Sequence, residues 1–408
     1  MMPADGPDEM ARLAGLRRAL VESLQQRGTI ADARVAEAFD AVPRHLFLPA
    51  VAPEEVYSDR AIVTKEQDGV GISSSSQPAI MAIMLQQLAL EPGLRVLEIG
   101  AGTGYNAALL ARLVGPAGRV TTVDIDQDIV DAARAHLAAA GGDGVRVERG
   151  DGGRGWPDDA PYDRIVLTVG AADVLPAWVE QLRPDGLLVL PLFLDVGQYS
   201  VALRKLPDGT LASESLVPCG FMPLRGAFAY AERQIETGAW SVRLGERLAR
   251  DPASASRVAT LLDQPLGEEP LPDGPAGAEE AASLALHRAF AGAPAAYLCR
   301  TGPSGPANPA DWFIGLLDTD AGSGCLLRLQ YRPADGCVAS GALLFGSRAA
   351  YDRLLADFAR WNAAGRPRLD DLRVLVYPRD GVAPPQGVPS LAKPQSTLVL
   401  GRRDGRPL

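Results

Sequence analysis

The run Glu98-Ile99-Gly100-Ala101-Gly102-Thr103-Gly104-Tyr105 has the residue types and spacing of a ligand-holding turn. An apolar stretch from Arg95 to Ile99 ends in alternating glycines, and a helical pattern begins at Asn106. Glycine serves both a sharp bend and a close approach of main chain to a bound molecule. The spacing is E-x-G-x-G-x-G and differs from G-x-G-x-x-G, whose helix start faces a pyrophosphate. A carboxylate at the strand end suits a ligand with a cationic amino-acid portion. S-adenosyl-L-methionine fits, with its ammonium, its sulfonium and an uncharged ribose–adenine half. Glu98, Gly100, Gly102, Thr103, Gly104 and Tyr105 are therefore candidate cofactor contacts, although a plain strand-to-helix turn would use the same glycines.

Two further acids point the same way. Val120 to Asp124 reads as a second buried strand ending in acid, about 20 residues past the loop, where such a residue accepts from both ribose hydroxyls. Asp124 also suits a cap on the helix beginning near Gln127, and the two roles are compatible. The pair Asp151-Gly152 closing the alternating strand from Val145 is a candidate for the adenine edge, and Ile125 a further candidate cofactor contact.

Upstream stands Gly69-Val70-Gly71-Ile72-Ser73-Ser74-Ser75-Ser76-Gln77-Pro78, leading into the apolar helix from Ala79. Ser76 suits the N-cap and Pro78 the first turn. Hydroxyls and free N–H groups at a helix start form an anion site, here for an acceptor carboxylate brought beside the sulfonium. A flexible serine linker before a capped helix is the competing reading. Ser74 and Ser76 are the candidate catalytic positions, with Ser76 also at the cofactor. Ser73, Ser75, Val70, Thr168 and Arg225 are candidate substrate contacts. An acceptor carboxylate is already ionised at neutral pH and needs no general base; neutral hydroxyls orient it without quenching its nucleophilicity.

These residues require a scaffold. Strand patterns at Arg95–Ile99, Val120–Asp124, Val145–Gly150, Tyr162–Val169 and Leu187–Pro191 alternate with helical ones. That pattern specifies an α/β, doubly wound, mostly parallel sheet with ligands at the carboxyl ends of its strands. Residues 8–40 carry helical periodicity with a break at Gly28, an N-terminal helical cap. Val201–Leu206 and Leu211–Val217 read as a hairpin about Pro207-Asp208-Gly209. Past residue 230, helices are expected over 240–263 and 277–291, separated by the Pro/Gly-rich acidic linker Gly267–Gly277. A second such stretch, Thr301–Pro309, precedes strands near 311–318, 324–331 and 336–346. A helix at 349–361 and strands at 372–377 and 396–400 follow, a C-terminal α+β module. The expected domains are 1–77 for the cap and substrate loop, 78–230 for the cofactor-binding domain and 231–408 for the accessory module.

At 408 residues more than one domain is expected. A net charge of −10 argues against a nucleic-acid surface, and no apolar run of about 18 residues marks a membrane span. The N-terminus lacks the apolar core of a signal peptide, so a cytoplasmic protein is expected. Cys219, Cys299, Cys325 and Cys337 show no C-x-x-C spacing and His45, His136 and His287 are scattered, so no metal site is expected and reduced cysteines are.

With these residues in hand, positions 18–230 resemble protein-L-isoaspartate O-methyltransferase. The matching stretches are Asp32 and Val35, Val42 to Pro49, Tyr57-Ser58-Asp59, Ser76-Gln77-Pro78, Val96 to Tyr105, Tyr162 to Ile165 and Cys219 to Leu224. The resemblance implies a class I methyltransferase fold, S-adenosyl-L-methionine as methyl donor and S-adenosyl-L-homocysteine as product. The family's Q-T-I-S-x-P pattern carries its active-site hydroxyl onto Ser76 and its Thr onto Ser74. Its Gln is replaced by Ser73 and its Ile by Ser75. Those replacements and the long C-terminal module are similar to the branch of the family in ribosomal-peptide (lanthipeptide or graspetide) biosynthesis. There an Asp side chain of a modified precursor peptide is esterified and closes to an aspartimide, which can open to isoaspartate. The leading expectation is thus Asp O-methylation of such a peptide, with the C-terminal module gripping it; protein repair at isoaspartate is the alternative, and a non-catalytic cofactor-binding scaffold a third. Expected partners are a peptide substrate, with no nucleic acid or membrane, and a monomer or weak dimer.

Overall fold

The structure, a computed structural model, describes residues 7–142, 144–195, 197–230, 234–237, 240–245, 248–249, 251–271, 274–275, 277–292, 295–300, 312–332 and 336–406. The chain divides into two compact units. One runs to Pro191 and adds Ser200–Gly209 and Cys219–Ala229; the other takes Leu192–Tyr199, Thr210–Pro218 and the chain from Tyr230 on.

In the first unit, α1 (Pro7–Gln26) buries Leu13, Leu20, Val21 and Leu24. Gly28, at φ +72°, breaks the helical run, and α2 (Ala33–Ala41) restarts it with the Asp32 carboxylate accepting from the Arg34 N–H at 2.8 Å. A one-turn α3 (Pro53–Val56) leads to an antiparallel hairpin, β1 (Ile62–Gln67) and β2 (Val70–Ser75). Its turn residues Asp68 and Gly69 have φ of 53° and 76°, the doubly left-handed pair that matches strand twist in a two-residue loop. Then follow α4 (Pro78–Gln87), β3 (Arg95–Ile99), α5 (Tyr105–Val114), β4 (Arg119–Asp124), α6 (Gln127–Ala139), β5 (Val145–Arg149), β6 (Tyr162–Leu167), α7 (Pro176–Gln181) and β7 (Leu182–Phe193). The sheet order is β7-β6-β3-β4-β5 with every pair parallel. The chain winds outward from β3 through β4 and β5, then returns to β3's other side with β6. That reversal places the topological switch point at the carboxyl end of β3, where the glycine run begins. The sequence Arg183-Pro184-Asp185-Gly186 reads as a turn before the strand at Leu187; it lies inside β7 as a bulge, with Asp185 at φ 60° and pairing that jumps from Tyr162–Leu182 to Arg164–Leu187.

Strands β8 (Gln198–Lys205) and β9 (Leu211–Cys219) come next. The second unit holds β10 (Gln234–Thr237), β11 (Trp240–Leu244), α8 (Ser254–Leu262), β12 (Pro265–Glu269), α9 (Ala278–Phe290), β13 (Ala295–Arg300), β14 (Trp312–Asp318), β15 (Ser323–Arg332), β16 (Gly336–Gly346) and α10 (Ala349–Ala363). It closes with β17 (Leu372–Pro378), β18 (Ser390–Ala392) and β19 (Ser396–Arg402). Strands β10-β11-β13-β14-β15-β16-β12 form one antiparallel sheet. The helix expected over 240–263 is corrected: β11 occupies its start, because Trp240, Val242 and Leu244 alternate inward with period two. Gly267–Glu269 of the expected linker likewise belong to β12, while Thr301–Pro309 lie outside the described residues. Cys219 and Cys325 are free thiols, both pushed up to about 12 by burial. Among the described residues no helix is long and apolar enough to cross a membrane, and no cluster of three His, Cys, Asp or Glu could hold a metal ion.

Candidate active site

Beyond β3 the main chain turns through Gly100, Gly102 and Gly104 at φ of +102°, +50° and +86°, values that L side chains rarely adopt. The N–H groups of Gly100 and Ala101 donate to the Val123 carbonyl at 2.8 and 3.1 Å, tying the turn to β4. The Thr168 hydroxyl donates to the Gly100 carbonyl at 2.7 Å, and a Cβ on Gly100 would lie 2.6 Å from that hydroxyl. His136 Nδ1 sits 3.0 Å from the Thr103 carbonyl and holds the loop from α6.

Glu98 and Tyr105, expected to touch the cofactor, are placed otherwise. Glu98 is fully buried; its Oε1 accepts from Asn106 Nδ2 at 2.7 Å and its Oε2 from the Thr122 hydroxyl at 2.6 Å. Burial pushes its carboxyl up to about 7, against the two hydrogen bonds. It braces the turn from inside. Tyr105 is buried in the helical cap, with Phe39 and Phe47 at ring-centroid distances of 6.2 and 5.5 Å. Thr168, expected at the substrate, spends its hydroxyl on the glycine turn.

Asp124 stands at the end of β4 and accepts the Gly102 N–H at 3.2 Å; burial raises its carboxyl above the ordinary range. It also accepts from Asp126 N at 3.4 Å, but the N-cap of α6 is Asp126, so the expected capping role of Asp124 is corrected to a bond with the residue that starts the helix. Arg225, the other expected substrate contact, is held by acids: its Nη2 lies 3.0 Å from Asp126 and 3.9 Å from Asp124. Lys65, from β1, reaches Asp126 and Asp128, each at 2.8 Å. Asp151 accepts from Gly153 N at 3.0 Å and from Ala227 N at 2.8 Å. Gly226, at φ +100°, permits this approach, since its Cβ would lie 2.7 Å from the Asp151 carboxylate. Gly152 packs so closely that a Cβ would meet Ile99 at 2.3 Å, and its carbonyl accepts from Trp178 Nε1 at 2.9 Å. Ile125 is half-buried beside these acids.

The serine run is not the loop that the sequence suggested. Ser73 to Ser75 end β2, and strand alternation sorts them: Ser73 and Ser75 are buried, Ser74 and Ser76 half-open. Ser73 Oγ accepts from the Thr64 hydroxyl at 3.3 Å, and Ser75 Oγ accepts from Arg44 at 3.1 Å, so both face inward rather than toward a substrate. Val70, at the hairpin tip, is 65% exposed. Ser76 is not the N-cap of α4; Gln77 holds that position without a side-chain hydrogen bond. The Asp59 carboxylate accepts the Ala79 N–H at 2.9 Å instead, so the anion expected at this helix start is partly the protein's own. Ser76 lines a narrow pocket with Met81, Met84, Asn106, Thr168 and Phe221. The two halves of the site meet in the main chain: a Cβ on Gly102 would lie 3.4 Å from the Ser74 carbonyl oxygen.

Sequence reasoning assigned no role to Arg44, Asp59, Lys65, Asn106 or Thr122. For the hairpin a signal existed in Asp68-Gly69. The others act over long sequence distances that no local pattern reveals.

A family model described as Protein-L-isoaspartate(D-aspartate) O-methyltransferase matches residues 16–228. The Protein-L-isoaspartate O-methyltransferase of Methanopyrus kandleri is 41% identical over 217 residues, 53% of this chain and 94% of the relative. That of Hyperthermus butylicus is 36% identical over 245 residues, 58% of this chain and 99% of the relative. A solved structure described as protein-L-isoaspartate O-methyltransferase aligns over 88% of this chain and 96% of its own, with a TM-score of 0.51 and 24% identity. That likeness is one of fold, and at 88% coverage it reaches past residue 228 into the second unit.

Proposed function

The chain belongs to the protein-L-isoaspartate O-methyltransferase family, and from that premise we propose that it esterifies the free carboxylate of an isoaspartyl residue in a peptide, with Ser74 and Ser76 orienting that carboxylate. The enzyme is an S-adenosyl-L-methionine-dependent carboxyl O-methyltransferase of class I, Rossmann-like fold. The residues present fit the cofactor: a glycine cradle at the switch point whose three positive φ values disfavour side chains, an acid at the end of β4 and a second acid at Asp151. Gly100, Gly102, Asp124, Asp151 and Gly152 would hold it, and when bound it supplies an electrophilic methyl group on a sulfonium.

The chain's own contribution is modest in kind. No proton has to be removed from an ionised carboxylate, so alignment dominates, and orientation of this sort is worth on the order of 7–11 kcal/mol. The observation that supports the reading is the closeness of the Ser74 carbonyl to Gly102, where an added Cβ would lie 3.4 Å away; the half-open Ser74 and Ser76 belong to that same stretch. Incubation with cofactor and a synthetic isoaspartyl peptide should add one methylene's mass, lost again in mild base. No transfer to isoaspartyl peptide, in the presence of measured cofactor binding, defeats the proposal.

A second reading rests on Ser73 and Ser75, which stand where the family pattern has Gln and Ile: an Asp side chain of a modified ribosomal precursor peptide as acceptor, gripped by residues 231–408. The ester would lose methanol to the neighbouring backbone nitrogen and leave the peptide lighter by one water. Methylation of such a precursor at an ordinary Asp, with isoaspartyl peptide inert, would favour it. Truncation before residue 231 that spares short peptides but abolishes precursor turnover would support the gripping role; a change in molecular size alone would make that module a dimerisation element.

A further inference from the structure

Arg44 is fully buried in the helical cap, yet among the described residues its hydrogen bonds go to carbonyls and a hydroxyl and to no carboxylate. Its Nη1 donates to the carbonyls of Val56 (2.9 Å) and Ser58 (3.4 Å). Its Nη2 donates to the Arg60 carbonyl (3.4 Å), to Ser75 Oγ (3.1 Å) and to the Ser76 carbonyl (2.9 Å). Its Cζ lies 5.7 Å from the centroid of the Tyr105 ring, directly after the glycine turn. The Nε–H finds no acceptor among the described residues. Asp59 acts on this cation through space without a hydrogen bond between them, and one donor goes unused; as a device for stability that is poor, since an apolar side chain of equal volume serves that end as well or better. What a guanidinium alone provides is a rigid planar fork that can bind several oxygens at fixed angles.

Those oxygens belong to two segments. One is the 56–60 stretch, which carries Asp59, the acid accepting the Ala79 N–H of α4. The other is the end of β2 and the residue after it, where buried Ser75 stands between the half-open Ser74 and Ser76. We propose that Arg44 is a positioning residue for methyl transfer: it clamps the Ser75 hydroxyl and the Ser76 carbonyl so that the Ser74 and Ser76 hydroxyls keep their orientation toward the acceptor carboxylate. Ser75, standing where the family pattern has Ile, is the side chain through which β2 completes that clamp. The inference rests on the proposed carboxylate acceptor, and it acts through Ser74 and Ser76 with no contact of its own to substrate.

The test uses the full-length chain and an isoaspartyl peptide, with Arg44→Lys, Arg44→Met and Ser75→Ala beside the wild type. Arg44→Lys keeps the charge but cannot span five acceptors. Both Arg44 variants should therefore lose kcat by about 100-fold, with cofactor Kd, read by calorimetry, within about twofold. Ser75→Ala, which removes one contact and leaves the fold's main-chain bonds intact, should lose kcat by about 3- to 10-fold. Retained kcat in Arg44→Lys, or proportional losses of kcat and cofactor affinity, overturns the proposal; so does an unchanged kcat in Ser75→Ala if the Arg44 variants fail to fold. If the wild type methylates no isoaspartyl peptide, the functional reading fails, and the clamp is judged by amide hydrogen exchange. Ser75→Ala should then speed exchange at residues 74–77 and leave 100–104 unchanged, and equal rates in both segments sink it.

Discussion

The glycine turn and the serine strand meet in one site but are held in place by different means. The turn is encoded in its own backbone: three positive φ values, two N–H groups donating to Val123 and one to Asp124, and a buried Glu98 bonded to Asn106 and Thr122. The strand end is ordinary extended chain that any sequence could adopt. Residues distant in sequence hold it: Arg44 bonds Ser75 and Ser76, and Asp59 bonds Ala79 in the helix that follows. A ligand cradle built from local conformation tolerates little change in composition. An edge built from long-range hydrogen bonds constrains its own side chains less, and Ser73 and Ser75 stand there in place of the family pattern's Gln and Ile.

Substitutions can break that contrast, and the largest effect is expected at Gly100. A methyl there meets Thr168 Oγ1 at 2.6 Å at a φ of +102°. Gly100→Ala should cost on the order of 2–3 kcal/mol of stability and weaken cofactor binding more than about 10-fold. Equal cofactor affinity by calorimetry would show that the turn tolerates a side chain at Gly100. Next, Ser76→Ala should lower kcat by about 10- to 100-fold while cofactor Kd stays within about twofold. A parallel loss of both would merge the two halves into one cofactor site.

Glu98 offers a pH test of the turn alone. Its carboxyl is lifted from 4.5 to about 7, so the folded protein keeps a proton that the unfolded chain releases. The associated stability is present below pH 4.5 and is lost as pH rises through about 7. Glu98→Gln does not titrate, so the wild type should fall relative to it over that window by an amount on the order of a few kcal/mol. Denaturant midpoints at several pH values read this directly; parallel curves would mean that Glu98 is ionised throughout. The smallest effect is expected at Asp59, where Asp59→Ala removes the cap at Ala79 and should cost about 1 kcal/mol. A cost near zero would assign that helix start to other donors and acceptors.

Much of the first unit was legible because its signals are short-range. The strands at Arg95–Ile99, Arg119–Asp124 and Val145–Arg149 alternate with helices of clear periodicity, and the glycines mark the switch point by their spacing. The serine run misled for a physical reason. Four consecutive hydroxyl residues lack the apolar alternation of a strand, and the partner strand β1 supplies the pairing that makes Ser73–Ser75 extended. Asp68-Gly69 was the local sign of that hairpin. In the second unit, Trp240–Leu244 paired with β13 and became a strand despite its run-on into helical sequence. Sheet partners far along the chain override local preference in this way.

By itself the sequence determined the doubly wound sheet, the cofactor class and the identity of the residues at the carboxyl ends of β3, β4 and β5. Each follows from backbone preference or side-chain period within one or two turns of chain. Only the tertiary structure decided which of those residues are open. Glu98 and Tyr105 turn inward, Thr168 and Arg225 are spent on protein partners, and of the serines it is Ser74 and Ser76 that stay half-open. The reason is that accessibility depends on what packs against a side chain, and at this site the packing groups are Arg44, Asp59, Lys65 and Thr122, whose distance along the chain hides their partners from any local reading.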